Sequence, residues 1–91
     1  MKILVSRTAI ALAIPVKEWI ELPERADLAH LIEVLAERYS SSLRQELVEG
    51  GELAKELLVL INGTSAYKMD GIKTILEDGD KVYFMVMTCD G

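Results

Sequence analysis

The final extended segment, Lys81 to about Thr88, is apolar on both of its sides. Val82, Phe84 and Val86 alternate with Tyr83, Met85 and Met87, and in a strand these two sets face opposite ways. A strand of this kind belongs in the interior of a sheet rather than at its edge. It needs neighbours on both flanks and cover on at least one face. That requirement fixes much of what the remaining residues must supply.

The neighbours can be read in order. Lys2 to Thr8 holds a β-branched apolar run and reads as a buried strand. Pro15 punctuates the chain, and Val16 to Leu22 reads as a second strand ended by Pro23. The two are close enough to form an antiparallel hairpin. From Leu28 the period changes: Leu28, Leu31, Ile32, Leu35 and Tyr39 recur at helical spacing behind Asp27, a good N-cap. Ser40-Ser41-Ser42 breaks this helix and can cap a second short one, Leu43 to Glu49, closed by Gly50-Gly51. Leu57 to Ile61 is a wholly apolar strand followed by Asn62-Gly63, a strong turn signal. A short extended piece from Ser65 to Lys68, a loop holding Ile72, Ile75 and Leu76, and a tight turn at Glu77-Asp78-Gly79-Asp80 precede the last strand. The order predicts an α+β domain in which the first and last strands pair in parallel, the β-grasp arrangement: a mixed four- to five-stranded sheet on one main helix. Residues 1–91 read as one such domain, with a flexible tail from about residue 88 to 91.

Composition excludes several classes of function. Fifteen acidic against ten basic residues give a net charge of −5, without a basic cluster to neutralise a phosphate backbone, so nucleic acid is not the expected partner. One cysteine, Cys89, excludes an intrachain disulfide framework and a Cys-ligated zinc or iron–sulfur site, and suits the reducing cytoplasm. No apolar run has the length of a membrane helix. Lys2 and Arg7 before Ala9 to Ile14 imitate a secretion signal, but Ile3-Leu4-Val5 ahead of that run reads as a strand, and export is not expected. The carboxylates are scattered and solvated, and His30 lies on the polar side of its helix. No phosphate loop, nucleophile elbow or metal-ligand spacing is present.

Leu58-Val59-Leu60-Ile61-Asn62-Gly63, then Leu76-Glu77-Asp78-Gly79-Asp80-Lys81-Val82, then a glycine in last position resemble the β-grasp sulfur carriers. The likeness is greatest to the small subunit of molybdopterin synthase; the thiamine-pathway carrier and ubiquitin are more distant. The resemblance implies a carrier with no catalytic site and no bound cofactor of its own. Its partners would be an E1-like adenylating enzyme, which uses ATP, and a large synthase subunit. Gly91 would be the sulfur-bearing residue, converted through an acyl-adenylate to a thiocarboxylate for molybdenum or tungsten cofactor assembly. Glycine suits that task, because it threads a narrow channel and leaves the carbonyl open to attack.

The tail also departs from the family. Asp90 stands where a second glycine is usual, and Val86-Met87 stand in place of Pro-Pro. Asp90 brings charge toward the ATP site, and either it or the Cys89 thiol could attack an activated Gly91 carbonyl. Tyr83, Met85 and Met87 are candidates for a partner interface, or for packing beneath loops; Ala9 to Ile14 poses the same choice. Gly91 has its own plain alternative, a frayed end. The rival function is a β-grasp interaction module that has lost tail chemistry, and a third is a modifier attached to lysines.

Overall fold

The computed structural model describes residues 1–7, 14 and 16–86. Among these residues the strands and α-helices follow in the order β1 (Lys2–Arg7), β2 (Lys17–Glu21), α1 (Leu28–Arg38), α2 (Leu43–Leu47), β3 (Val48–Glu49), β4 (Glu52–Leu53), β5 (Leu57–Ile61), β6 (Thr64–Ser65) and β7 (Lys81–Val86). The main sheet has the order β2-β1-β7-β5-β6, with β7 parallel to β1 and antiparallel to β5. The doubly apolar final strand is therefore at the centre, as its composition demands. This is the β-grasp.

Burial follows the alternation. Ile3, Val5, Ile20, Leu57, Val59, Ile61, Val82 and Phe84 turn to one side of the sheet and are buried there. They share one core with Leu28, Leu31, Ile32, Leu35 and Ala36 of α1. The helix starts where expected: the Asp27 carboxylate accepts from the His30 amide at 2.8 Å, satisfying a donor that the first turn leaves free. It ends on Arg38, with Tyr39 half-buried at the cap. His30 is exposed. Ile14, the one described residue of the apolar 9–14 segment, belongs to the core; Ala9 to Ala13 lie outside the described residues.

Three local expectations are corrected. The second helix stops at Leu47, and Gly50-Gly51 does not cap it. Both glycines have positive φ (63° and 83°), the geometry of a type I′ turn, and they join β3 to β4 as a small hairpin. The serines do not cap α2 with a side chain; the Ser42 hydroxyl is instead 2.8 Å from that of Ser40. Finally, Ser65 to Lys68 is extended only as far as Ser65. The Ser65 hydroxyl accepts from the Tyr67 amide, and Ala66–Lys68 coil into a 3₁₀ turn.

Tyr67 ties that turn down. Its hydroxyl is 2.9 Å from the Ala54 carbonyl and 3.0 Å from that of Leu57, so its proton is shared between two acceptors. Desolvation, helped by the charge of Glu52, raises the phenol pKa. At the other end of the sheet the Met1 amine donates to Glu21 at 2.8 Å, and that bond raises the pKa of the amine. Both groups hold their proton more tightly folded than unfolded. Their stabilisation is complete at neutral pH and is lost as pH rises, through the amine range above about 8 and then the phenol range above about 10. Chemical denaturation from pH 7 to 11 should show a midpoint that falls on the alkaline side. Tyr67→Phe should lower the unfolding free energy by about 1 kcal/mol at pH 7 and flatten the part of the fall above about pH 10.

Candidate functional site

With α1 and its loops on one side, the other side of the sheet carries the residues that alternate outward. Their partners are set by register. In β7, Tyr83 lies between Ser6 of β1 and Leu60 of β5, and Met85 lies opposite Leu58. Leu4 of β1 is flanked by Trp19 of β2 and Lys81 of β7. The result is an apolar field of Leu4, Trp19, Leu58, Leu60, Tyr83 and Met85 spread over four strands. Leu58, Leu60, Tyr83 and Met85 are half-buried, Trp19 is 52% exposed, and Leu4 is buried beneath its neighbours. A shallow groove of about 510 Å³ adjoins the field at Leu60 and Tyr83, with Ser6, Asn62, Gly63 and Lys81 completing its lining. Contiguous apolar surface with lysines at its margin suits a protein partner whose contact face is apolar and whose rim is acidic.

Of the residues that the sequence nominated, Tyr83 and Met85 lie side by side on this field. Met87, Cys89, Asp90 and Gly91 lie outside the described residues. Leu4, Trp19, Leu58 and Leu60 were missed. In β5 the reason is that five consecutive apolar residues do not show which side is outward; pairing with an alternating β7 decides it.

A polar clasp positions the start of β7. Asn62 Nδ2 donates to Asp80 Oδ1 at 2.8 Å, and Asn62 Oδ1 accepts from the Lys81 amide at 3.0 Å. The Asn62 amide donates to the Lys81 carbonyl, and Asp80 Oδ2 accepts from the Glu77 amide, each at 2.8 Å. On the β1 side, Asp78 accepts from the Lys2 amide, Gly79 donates to the Lys2 carbonyl, and Leu4 donates to that of Asp80. The Asn-Gly and Glu-Asp-Gly-Asp motifs, 14 or more residues apart in the sequence, thus form one structural device. Its task is register: a slip of one residue would send Tyr83 into the core and Phe84 into water. Asn62 also has φ of 53°, a left-handed conformation that asparagine tolerates better than most residues. Asn62→Ala should cost about 1–2 kcal/mol in urea denaturation, while Asn62→Gly, which keeps the backbone freedom, should cost less.

The described residues hold no cluster of His, Cys, Asp and Glu fit for a metal ion, and no helix among them is long and apolar enough to cross a membrane. The arrangement offers an apolar surface and a tightly held final strand.

The profile of the ThiS family matches residues 5–89. A search of the curated proteins finds no match. Among solved structures, the HVO 2177 protein of Haloferax volcanii superposes with a TM-score of 0.84 at 25% identity, covering 100% of this chain and 87% of that one. A Pyrococcus furiosus protein described as a molybdopterin converting factor, subunit 1, gives 0.70 at 28% identity, covering 96% and 98%. One chain of the Amycolatopsis orientalis BexX/CysO complex gives 0.74 at 18% identity, covering 98% of this chain and 99% of that one, a likeness of fold alone.

Proposed function

The chain belongs to the ThiS family, whose members are ubiquitin-fold sulfur carriers and modifiers, and from that premise we propose that it is a sulfur carrier of the molybdopterin-synthase small-subunit type. The observation that carries this reading is the apolar field on the strand that leads to Gly91, joined to a likeness to the Pyrococcus furiosus molybdopterin converting factor subunit at 28% identity. The chain acts as a substrate of other enzymes. A Gly91 carboxylate oxygen attacks the α-phosphate of ATP in an adenylating partner, and pyrophosphate leaves. A sulfur donor then displaces AMP to give the thiocarboxylate. In a large synthase subunit the sulfur passes to a pterin precursor for molybdenum or tungsten cofactor assembly, and the carboxylate returns. The compartment we propose for these steps is the cytoplasm. The carrier's own residues contribute docking, through Leu60, Tyr83 and Met85, and presentation of the tail.

Intact mass before and after incubation with ATP, a cognate adenylating enzyme and a sulfide donor tests the proposal. The expected result is a gain equal to replacement of one oxygen by sulfur, localised to Gly91. An unchanged mass, with the enzyme active on a Gly-Gly control, would overturn it in favour of an interaction module without tail chemistry. Asp90 is the observation that favours this second reading. A carboxylate beside the triphosphate opposes binding by roughly 1–2 kcal/mol, so Asp90→Gly should speed adenylation by about five- to thirtyfold. Equal rates would show that the partner accommodates the Asp-Gly tail.

A further inference from the structure

The two edges of the main sheet are unequal. On one side β6 is two residues long. On the other, β2 offers five residues, and among the described residues no strand pairs with its outer side. Unprotected edges of this kind recruit further strands. The hydrogen-bond parity of β2 identifies the groups left over. Met1 and Leu22 exchange both backbone bonds at 2.8 Å, and the Arg7 amide donates to Val16 at 3.3 Å. Antiparallel pairs alternate, so residues 16, 18, 20 and 22 bond to β1, and Lys17, Trp19 and Glu21 turn their N–H and C=O groups outward.

These same three residues are self-complementary about Trp19. We propose that two copies of this chain pair antiparallel through the outer edge of β2, with Trp19 on the two-fold axis. Trp19 of each copy exchanges both backbone bonds with Trp19 of the other, and Lys17 of each does so with Glu21 of the other. Every outward backbone group of the strand is then satisfied. On the open side of the sheet the two indoles adjoin across the axis, and two Lys17–Glu21 ion pairs flank them. Glu21 Oε2 is held by the Met1 amine at 2.8 Å, which leaves Oε1 for the lysine of the second copy. Pro15 and Pro23 bracket the strand and limit the pairing to this segment. The contact is isologous and closes on itself as a dimer. It leaves Leu60 and Tyr83 of both copies open on the same face, so it is compatible with docking and independent of whether Gly91 carries sulfur.

The test uses the full chain and two charge variants, Lys17→Glu and Glu21→Lys, each checked for fold by circular dichroism. In sedimentation equilibrium the wild-type mass should rise from 10.1 kDa toward twice that value, with half-association near about 0.1 mM, at the weak end of protein affinities. Emission of Trp19, the single tryptophan, should shift to shorter wavelength over the same concentrations. Each variant alone places like charges opposite each other and should associate at least about tenfold more weakly. An equimolar mixture restores both Lys–Glu pairs and should recover the wild-type mass. Net charge alone would act differently, because one variant becomes more acidic and the other less. A wild type that stays monomeric through about 1 mM would overturn the proposal. So would association insensitive to the single variants, or a mixture that fails to recover it.

Discussion

If the proposed function holds, Leu60→Lys is expected to raise the KM of an adenylating partner for this chain by about thirtyfold or more, with little change in kcat. Leu60 lies beside Tyr83 on the β5 side of the open apolar field, and a partner seated there would bury it. An unpaired ammonium in a desolvated contact costs about 2–5 kcal/mol. The same substitution should leave the fold intact, because the Leu60 side chain points away from the core and is only half-buried. A steady-state assay of pyrophosphate release against carrier concentration gives the KM, and a melting curve gives the control. An unchanged KM in a folded variant would remove the open face from the docking surface. A loss confined to kcat would assign Leu60 to presentation of the tail.

Phe84→Ala is expected to be the most damaging substitution to the fold itself. The ring is fully buried at the centre of β7, flanked by Arg7 on β1 and Val59 on β5. Truncating a buried phenylalanine costs about 3–5 kcal/mol in lost transfer energy and cavity. A domain of this size has only about 5–14 kcal/mol in total. At roughly 4 °C or more per kcal/mol, the melting temperature should fall by at least about 12 °C, as read by differential scanning calorimetry. Phe84→Leu, which keeps most of the volume, should lose about half as much or less. A variant melting within a few degrees of wild type would mean that the core is not organised around β7.

Period and end signals make the architecture legible in the sequence. The stripe Leu28, Leu31, Ile32 and Leu35 behind Asp27 named the helix, and the doubly apolar Val82 to Met87 named the central strand. Glycine pairs were harder. Positive φ serves a helix cap and a hairpin turn equally, so Gly50-Gly51 alone does not reveal that β3 and β4 follow. The open face was half legible. Tyr83 and Met85 stand on an alternating strand, but Leu4, Leu58, Leu60 and Trp19 come from three other strands, and only pairing register brings them together. The chemistry proposed at Gly91 rests on resemblance alone, because a glycine has no local physical signature of such a role.

The parallel union of β1 with β7 has a mechanical consequence. Tension applied between Lys2 and the end of β7 pulls these two neighbouring strands in opposite directions along their length. Their ladder is then loaded in shear, so its bonds must break together rather than peel one at a time. The Asp78, Gly79 and Asp80 contacts to Lys2 and Leu4 anchor the end of that ladder. Force applied across these two strands therefore meets the whole ladder at once, and the domain resists it better than a force that peels one strand from the other.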